Sequence, residues 1–496
     1  MKIFKTLSLT VFLLGLIACD DFTEFDRDFI LSEEGSIEDV ADLERLLLGT
    51  YNANGSYAGI LSINSIGTDE TRIGLGNRGQ GLQAHSFTLN TGSGEPLGIY
   101  NSAYDVLDNA NRVLRTAVDF PTESEAEATL LNQVRGEALA VRAWQHFDLL
   151  RMFAPSFDAN GPGVPLADRV FVVGEDDLSI PRNTVGEVLT LINADLTEAE
   201  GILSGLDLVS PNRFNVNGVR ALQARVALYS GNYSDAVTIA NQVVAAVPLV
   251  SGENYINMFR GGSTGEIIFQ IPRDVTNGRI GTIWSDVNQD VFFSTSIDLL
   301  NQMNLAGDDR RNVNLDLEDV ITPRISNEIL LDENGDVIGD FTDEWIVGKY
   351  LGTATAISLN NIIVFRSSEM VLISAEANAR QGNLGAARTD INTLRTTRGS
   401  AVTTPATYAD QNEALMDVLA ERRVELAFEG HRLLDLKRFG QGIARLDEDC
   451  SGTGIASRPA TTCDLEPGSF RFTFPIPQAE IFANDGISDA DQNPGY

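Results

Sequence analysis

The 496-residue chain has only three cysteines, three histidines and three tryptophans, and its 36 basic side chains face 70 acidic ones. Each scarcity excludes something. The histidines are His85, His146 and His431, none near Cys450 or Cys463, so a Cys/His zinc site has no ligand set. A formal net charge of −34 argues against nucleic acid, whose phosphates must be neutralised by Lys and Arg. It argues equally against direct adsorption to an anionic lipid surface. The acid excess reads as colloidal solubility, or adaptation to a salty medium, ahead of an acidic recognition surface. Beyond the N-terminus no run is apolar and long enough to span a membrane. There is no Gly-x-Ser-x-Gly, no His-Glu-x-x-His and no phosphate-binding glycine loop. At 43% hydrophobic and 21% charged, the composition is that of a globular chain, long enough for one large or several small domains.

The N-terminus is more specific. Lys2 and Lys5 precede an apolar run from Leu7 to Ile17, interrupted only by Ser8, Thr10 and Gly15. This is an export signal, too short for a comfortable span. Ala18-Cys19 then resembles the bacterial lipoprotein signal, in which the cysteine thiol is acylated and becomes the new N-terminus. One acyl chain holds only marginally, at about 0.8 kcal/mol per buried methylene, so stable anchoring takes more than one. Residues 1–18 therefore read as signal peptide, Cys19 as the lipidation site, and 19–35 as an acidic tether carrying Asp20, Asp21, Glu24, Asp26, Asp28, Glu33 and Glu34. Acidic residues just after the cysteine resemble a surface-export signal of bacteria related to Bacteroides. That implies the outer face of the outer membrane. In an exported protein, the nearby pair Cys450 and Cys463 reads as a disulfide pinning a surface loop.

Residues 36–496 read as one mostly helical fold, with an N-terminal half at 36–260 and a C-terminal half at 261–496. A first helix is expected from Ser36, with Asp39 completing a capping box and Ile37, Val40, Leu43, Leu47 and Tyr51 on one face. Residues 53–94 are rich in Gly, Ser and Asn and read as loops and short extended pieces. Helical periodicity predicts helices from Leu97 to the stop at Pro121, and over 123–153, 184–203, 219–229, 234–247, 365–381, 384–398 and 415–430. Trp144 falls on a helix face as a core residue. A β-favouring segment covers 266–271, and 273–361 is irregular. Within the latter, Asn334-Gly335 between short apolar runs signals a hairpin. Asp332-Glu-Asn-Gly-Asp336 is not a calcium loop, because Val337 stands where the sharp-turn glycine belongs. The joints Ser230-Gly231-Asn232 and Gln381-Gly382-Asn383 recur, as in stacked tetratricopeptide-type helix pairs.

The densest segment is 421–440. Glu421, Glu425 and Glu429 are spaced four apart, among Arg422, Arg423, Arg432, Lys437 and Arg438, with His431 between. Acid/base chemistry is conceivable there. Interleaved carboxylates and guanidiniums at helical spacing read better as ion pairs that fix packing. Arg135, Glu137 and Arg142, and Arg366, Glu369 and Glu376, are the expected partners.

Taken in order, the helix at 135–153, the repeat pair at 219–236, the Glu-Ile-Ile-Phe strand at 266–269, the repeat at 366–398, the 421–440 signature, Phe474-Pro-Ile-Pro477 and Asn493-Pro-Gly-Tyr496 resemble the SusD/RagB family of surface lipoproteins. The resemblance implies a divergent tetratricopeptide-like scaffold with long loops and no catalysis or cofactor. It implies capture of glycan for a SusC-like, TonB-dependent barrel, with the membrane reached only through the lipid. A peptide-binding importer lid and a lipid-anchored glycoside hydrolase are the rival readings. The family motifs specify scaffold, so ligand contacts must be sought in loop aromatics, whose rings stack on pyranose faces. The candidates are Trp284, Phe292 and Phe293, Trp345 with Tyr350, and Tyr57 with His85. Replacing Cys19 by Ser is expected to abolish labelling by radioactive fatty acid and to move the protein from the membrane fraction to the soluble one.

Overall fold

The computed structural model describes residues 37–52, 55–172, 176–288, 290–306, 308–315, 345–353, 355–450 and 462–496. The signal peptide, Cys19, the tether, Ser36 and the Asn334-Gly335 hairpin lie outside these residues.

Apolar spacing builds the first layer of helices. α1 (Val40–Asn52) buries Val40, Leu43, Leu47 and Tyr51 along one stripe. Its cap is Asp39, whose carboxylate accepts the Asp42 N–H at 2.8 Å while Asp42 accepts the Asp39 N–H at 3.2 Å. The helix therefore starts four residues later than Ser36 suggests. α2 (Gly55–Ile66) replaces the loops expected there. Tyr57, Ile60, Leu61, Ile63, Asn64 and Ile66 are all buried, so α2 has no polar stripe and no amphipathic period to read. α3 (Gly94–Ala117) and α4 (Glu125–Phe153) follow, α4 capped by Ser124. Gly59 lets α2 close on α3, since a Cβ there would sit 2.7 Å from Ile99 Cγ1. α5 (Val185–Leu203) opens with a complete capping box of Thr184 and Glu187.

Two helix pairs carry the repeat. α6 (Val216–Tyr229) and α7 (Tyr233–Ala246) form the first. α8 (Glu253–Phe259), α9 (Ile297–Ala306) and α10 (Asp309–Leu315) intervene, the last two inside a region that reads as irregular. α11 (Ser367–Arg380) and α12 (Leu384–Arg398) form the second pair, and α11 packs on α7. Their joints are closed alike. Asn232 donates to Ala227 O at 2.8 Å and Asn383 to Asn378 O at 2.9 Å, across glycines at φ 77° and 79°. α13 (Gln411–Glu425) packs on α11 and α12, and α14 (Arg432–Phe439) follows. This is a tetratricopeptide-like, mostly helical fold.

Strands are few. β1 (Thr71–Ile73) and β2 (Ile267–Ile271) pair antiparallel with β3 (Phe293–Thr295) and β4 (Ile362–Arg366), respectively. β4 ends where α11 begins, so the helix starts at Ser367 rather than at Phe365. The main core runs from Leu43 to Ile476 and mixes side chains from both sides of residue 260. Trp144 is fully buried at its centre, against Tyr57, Phe214 and Phe269.

Beside that core lies a buried ionic network. Arg366 donates to both Glu429 oxygens at 2.8 Å, to Glu425 Oε1 at 2.5 Å and to Glu266 Oε1 at 3.0 Å. Arg398 donates to Glu266 and Glu425, each at 2.8 Å. Lys349 donates to Glu429 at 2.6 Å, and Arg310 and Arg395 engage Glu421. Glu421 and Glu425 share α13, but Glu429 lies beyond its end, in a turn where Phe428 and Gly430 take φ 64° and 79°. Of the expected partners, Arg366 joins this network and Glu376 holds Arg438. Arg135, Glu137 and Arg142 pair elsewhere, with Glu198, Arg213 and Asp195, and Glu369 holds Arg225. The segment is structural.

Removing one charge of a buried pair strands the other, so Glu425→Gln is expected to cost about 3–5 kcal/mol in urea unfolding. Burial alone would raise the Glu376 carboxyl, but Arg438, with Arg422 and Arg380, pulls it down to about 2 from an ordinary 4.5. Its folded value lies below its unfolded one. Its stabilisation is therefore full above pH 4.5 and is lost as pH falls toward 2. Melting curves should show Glu376→Gln flattening part of that acid decline.

Candidate functional site

A cleft of about 440 Å³ opens over one end of the β2–β4 sheet. Three segments make it: the loop after α8, the loop after β2, and the chain that leads into β4. The first wall is Arg260, Gly261, Gly262, Ser263 and Thr264. It breaks from α8 because Gly261 takes φ 72°, and Ser263 Oγ accepts the Gly265 N–H at 3.0 Å. The opposite wall is tied to it. Asn360 donates to Phe259 O at 2.6 Å, and Asn361 accepts the Arg273 N–H at 3.0 Å. Phe259, Ile363, Tyr350 and Lys349 line the cleft as buried side chains. Burial pulls the Lys349 ammonium below its ordinary range, against the opposing pull of Glu429.

The chemistry offered is that of hydroxyl recognition. Amides (Gln270, Asn360, Asn361) and hydroxyls (Ser263, Thr264, Thr353) supply donors and acceptors beside apolar surface. Asn360 Oδ1 has no hydrogen-bond partner among the described residues. No described residue lining the cleft is Asp or Glu. A glycosidic mechanism needs two carboxyls flanking the bond, and this cleft presents none. Among the described residues, no group of His, Cys, Asp and Glu side chains is arranged to hold a metal ion.

The aromatics singled out from sequence mostly fall elsewhere. Tyr57, His85, Trp284 and Phe293 are at most 2% exposed and pack into the core, so none presents a face to a ligand. His85 stacks on Phe293, and Trp284 on Tyr350 with centroids 4.6 Å apart and planes 13° from parallel. Burial, with Arg445 nearby, holds the His85 pKa well below the usual imidazole range. Tyr350 does line the cleft, though it is buried beneath its stack with Trp284. Phe292 and Trp345 stay half-buried near β3: Trp345 O accepts the Thr295 N–H at 3.0 Å, and Phe292 O accepts the Gly74 N–H at 2.9 Å. Cys450 and Cys463 are joined, their Cα atoms 5.1 Å apart.

Sequence reading passes over Arg260, Arg273, Asn360 and Asn361. The visible traces are Gly261-Gly262-Ser263 directly after a helix and Asn360-Asn361 directly before a strand, but nothing local joins two segments about a hundred residues apart. A second, smaller cleft of about 240 Å³ lies where α4, α6 and α11 end, lined by Phe157, Tyr229, Tyr233, Arg151, Arg380 and Arg438. Its guanidiniums are held by Asp148, Glu376 and Asp435. Because Trp284 is a core residue, Trp284→Ala is expected to cost about 3–5 kcal/mol in chemical denaturation, as large-to-small core changes do.

Comparison with known proteins places this geometry. Residues 332–496 match the model of the SusD family, and residues 54–228 match a model described as starch-binding, associating with the outer membrane. The SusD-like protein P38 of Formosa agariphila is 26% identical over 385 residues, 69% of this chain and 72% of that one. A SusD superfamily protein of Bacteroides thetaiotaomicron superposes with a TM-score of 0.75 at 23% identity, over 92% of this chain and 100% of its own. A laminarin-binding SusD-like protein superposes at 0.65 and 21%, with the same coverage. With two family models spanning both ends and the same helix-pair fold throughout, the chain belongs to the SusD-like family.

Proposed function

We propose that the protein is a non-catalytic glycan receptor, anchored through Cys19 at the cell surface, that captures an oligosaccharide or polysaccharide and passes it to a SusC-like TonB-dependent barrel. The observation that carries this reading is the cleft over the β2–β4 sheet, with its amides, hydroxyls and apolar lining and with no carboxylate pair. The fold it shares with a laminarin-binding protein supports the same conclusion, as does the starch-binding description of the family model. Half-buried Phe292 and Trp345 offer a second, shallower contact along β3. A glycan spanning several sugars needs more than one such contact, each contributing modestly. No described helix is long and apolar enough to cross a membrane.

The protein without residues 1–19 should be retarded in gels that contain one of a panel of polysaccharides, and no new reducing ends should appear. Trp345→Ala should weaken that retardation severalfold while leaving the melting temperature within a few degrees. Cleavage of the glycan, or binding of peptides and of no glycan, would overturn the proposal.

A further inference from the structure

The cleft differs in charge from the molecule around it. The chain carries 70 acidic and 36 basic residues, yet the described lining holds Arg260, Arg273 and Lys349 and no acid. Lys349 is already committed, its ammonium donating to Glu429 and to the carbonyls of Glu425 and Ala427. The two arginines are not committed in this way. Among the described residues no carboxylate forms an ion pair with either guanidinium. Arg273 is held by neutral groups: it donates through Nε to Gly278 O at 3.3 Å and through Nη2 to Asn277 O. Carbonyls fix the direction of the guanidinium, and its charge is offset only through space, by Asp274, with no described carboxylate in contact.

The acid nearest in sequence is Asp274, which faces outward and accepts from the Thr276 and Asn277 N–H groups at 2.8 and 3.2 Å. The second cleft is the internal control. It too is lined by arginines, but there Asp148, Glu376 and Asp435 neutralise them. Burial pulls the Arg273 pKa below its usual range, a cost that a bound anion would relieve.

Resting on the reading of this cleft as the glycan site, we propose that it selects an acidic saccharide, whose uronate carboxylate or sulfate ester sits between Arg260 and Arg273. A guanidinium fork matches the oxygen spacing of either anion, and charge-assisted bonds of this kind exceed neutral ones. Asn360, Asn361 and Gln270 are then left to read the neighbouring hydroxyls. The acidic surface and the basic cleft act together: an anionic polymer is repelled everywhere except where the cleft draws it in.

The test is calorimetric titration of the Cys19→Ser protein with four probes: polygalacturonate, a sulfated galactan, the same galactan desulfated, and a neutral β-glucan. The polyuronate or the sulfated galactan should bind at least tenfold more tightly than both neutral chains, and more weakly as salt is raised. Polyuronate alone identifies a carboxylate subsite; sulfated galactan alone, with loss on desulfation, identifies a sulfate subsite. Arg260→Gln should weaken the acidic probe about tenfold with an unchanged melting temperature, and Arg260→Lys should restore part of the loss. Arg273→Gln should act likewise, and Arg260 carries the test should that loop fail to fold. A neutral glycan binding as tightly as the acidic ones, with Arg260→Gln silent, overturns the acidic-sugar proposal and leaves the capture role standing. Absence of binding by all four probes overturns both.

Discussion

The structure depends on charges that water does not reach. Arg366 sits on four carboxylate contacts from three different segments, and Arg398 reaches two of the same acids from α12. Each ion placed there loses several kcal/mol of hydration, so the arrangement holds only if every partner arrives in register. That demand fixes much else. It sets the turn after α13, where Phe428 accepts a left-handed backbone and Gly430 fits against Leu61, whose Cα would be 3.1 Å from an added Cβ. It fixes Lys349, and with Lys349 one part of the cleft lining. The scaffold and the candidate site are therefore not separable layers, because Glu429 holds both.

A second consequence concerns where the cations go. Arg72, Arg151, Arg225, Arg310, Arg366 and Arg398 are among the largest side chains that are fully buried. Most of them face buried acids, and among the described residues fourteen acids are buried against twelve bases, so the exterior keeps nearly the whole acid excess of the composition. Against an acidic surface, two half-exposed arginines in one concavity, neither in an ion pair with a described carboxylate, matter more than they would on a neutral protein.

The elements legible in the sequence are those with one wet face and one dry one. α12 keeps the limits its pattern predicts, α5 begins at the Thr184 cap, and the Gly-Asn joints appear where the repeat placed them. α2 was not legible because its more open side carries only Gly55, Ala58, Gly59 and Ser62, and a helix without a charged stripe resembles any apolar, glycine-bearing stretch. The 421–440 segment was legible as ion pairing but only partly as partners, since Arg310, Arg395 and Lys349 arrive from distant parts of the chain. The site was least legible. Aromatic residues in polar loops suggest stacking platforms, yet Trp284 and Phe293 are what attach those loops to the core. The cleft is lined instead by small and amide side chains that carry no sequence signature of their own.

The ties between the two ends of the chain bear on how it is made. Asp69 is held by Arg432, Glu70 accepts the Phe428 N–H, and Asn493 donates to Phe153 O. Partners separated by more than 350 residues mean that β1 and its flanking turn have nowhere to settle until nearly the whole polypeptide has been synthesised. A nascent N-terminal half emerging alone would hold Asp69 and Glu70 without these counterparts. Non-local pairing of this kind slows folding, so the contacts of β1 are among the last to form.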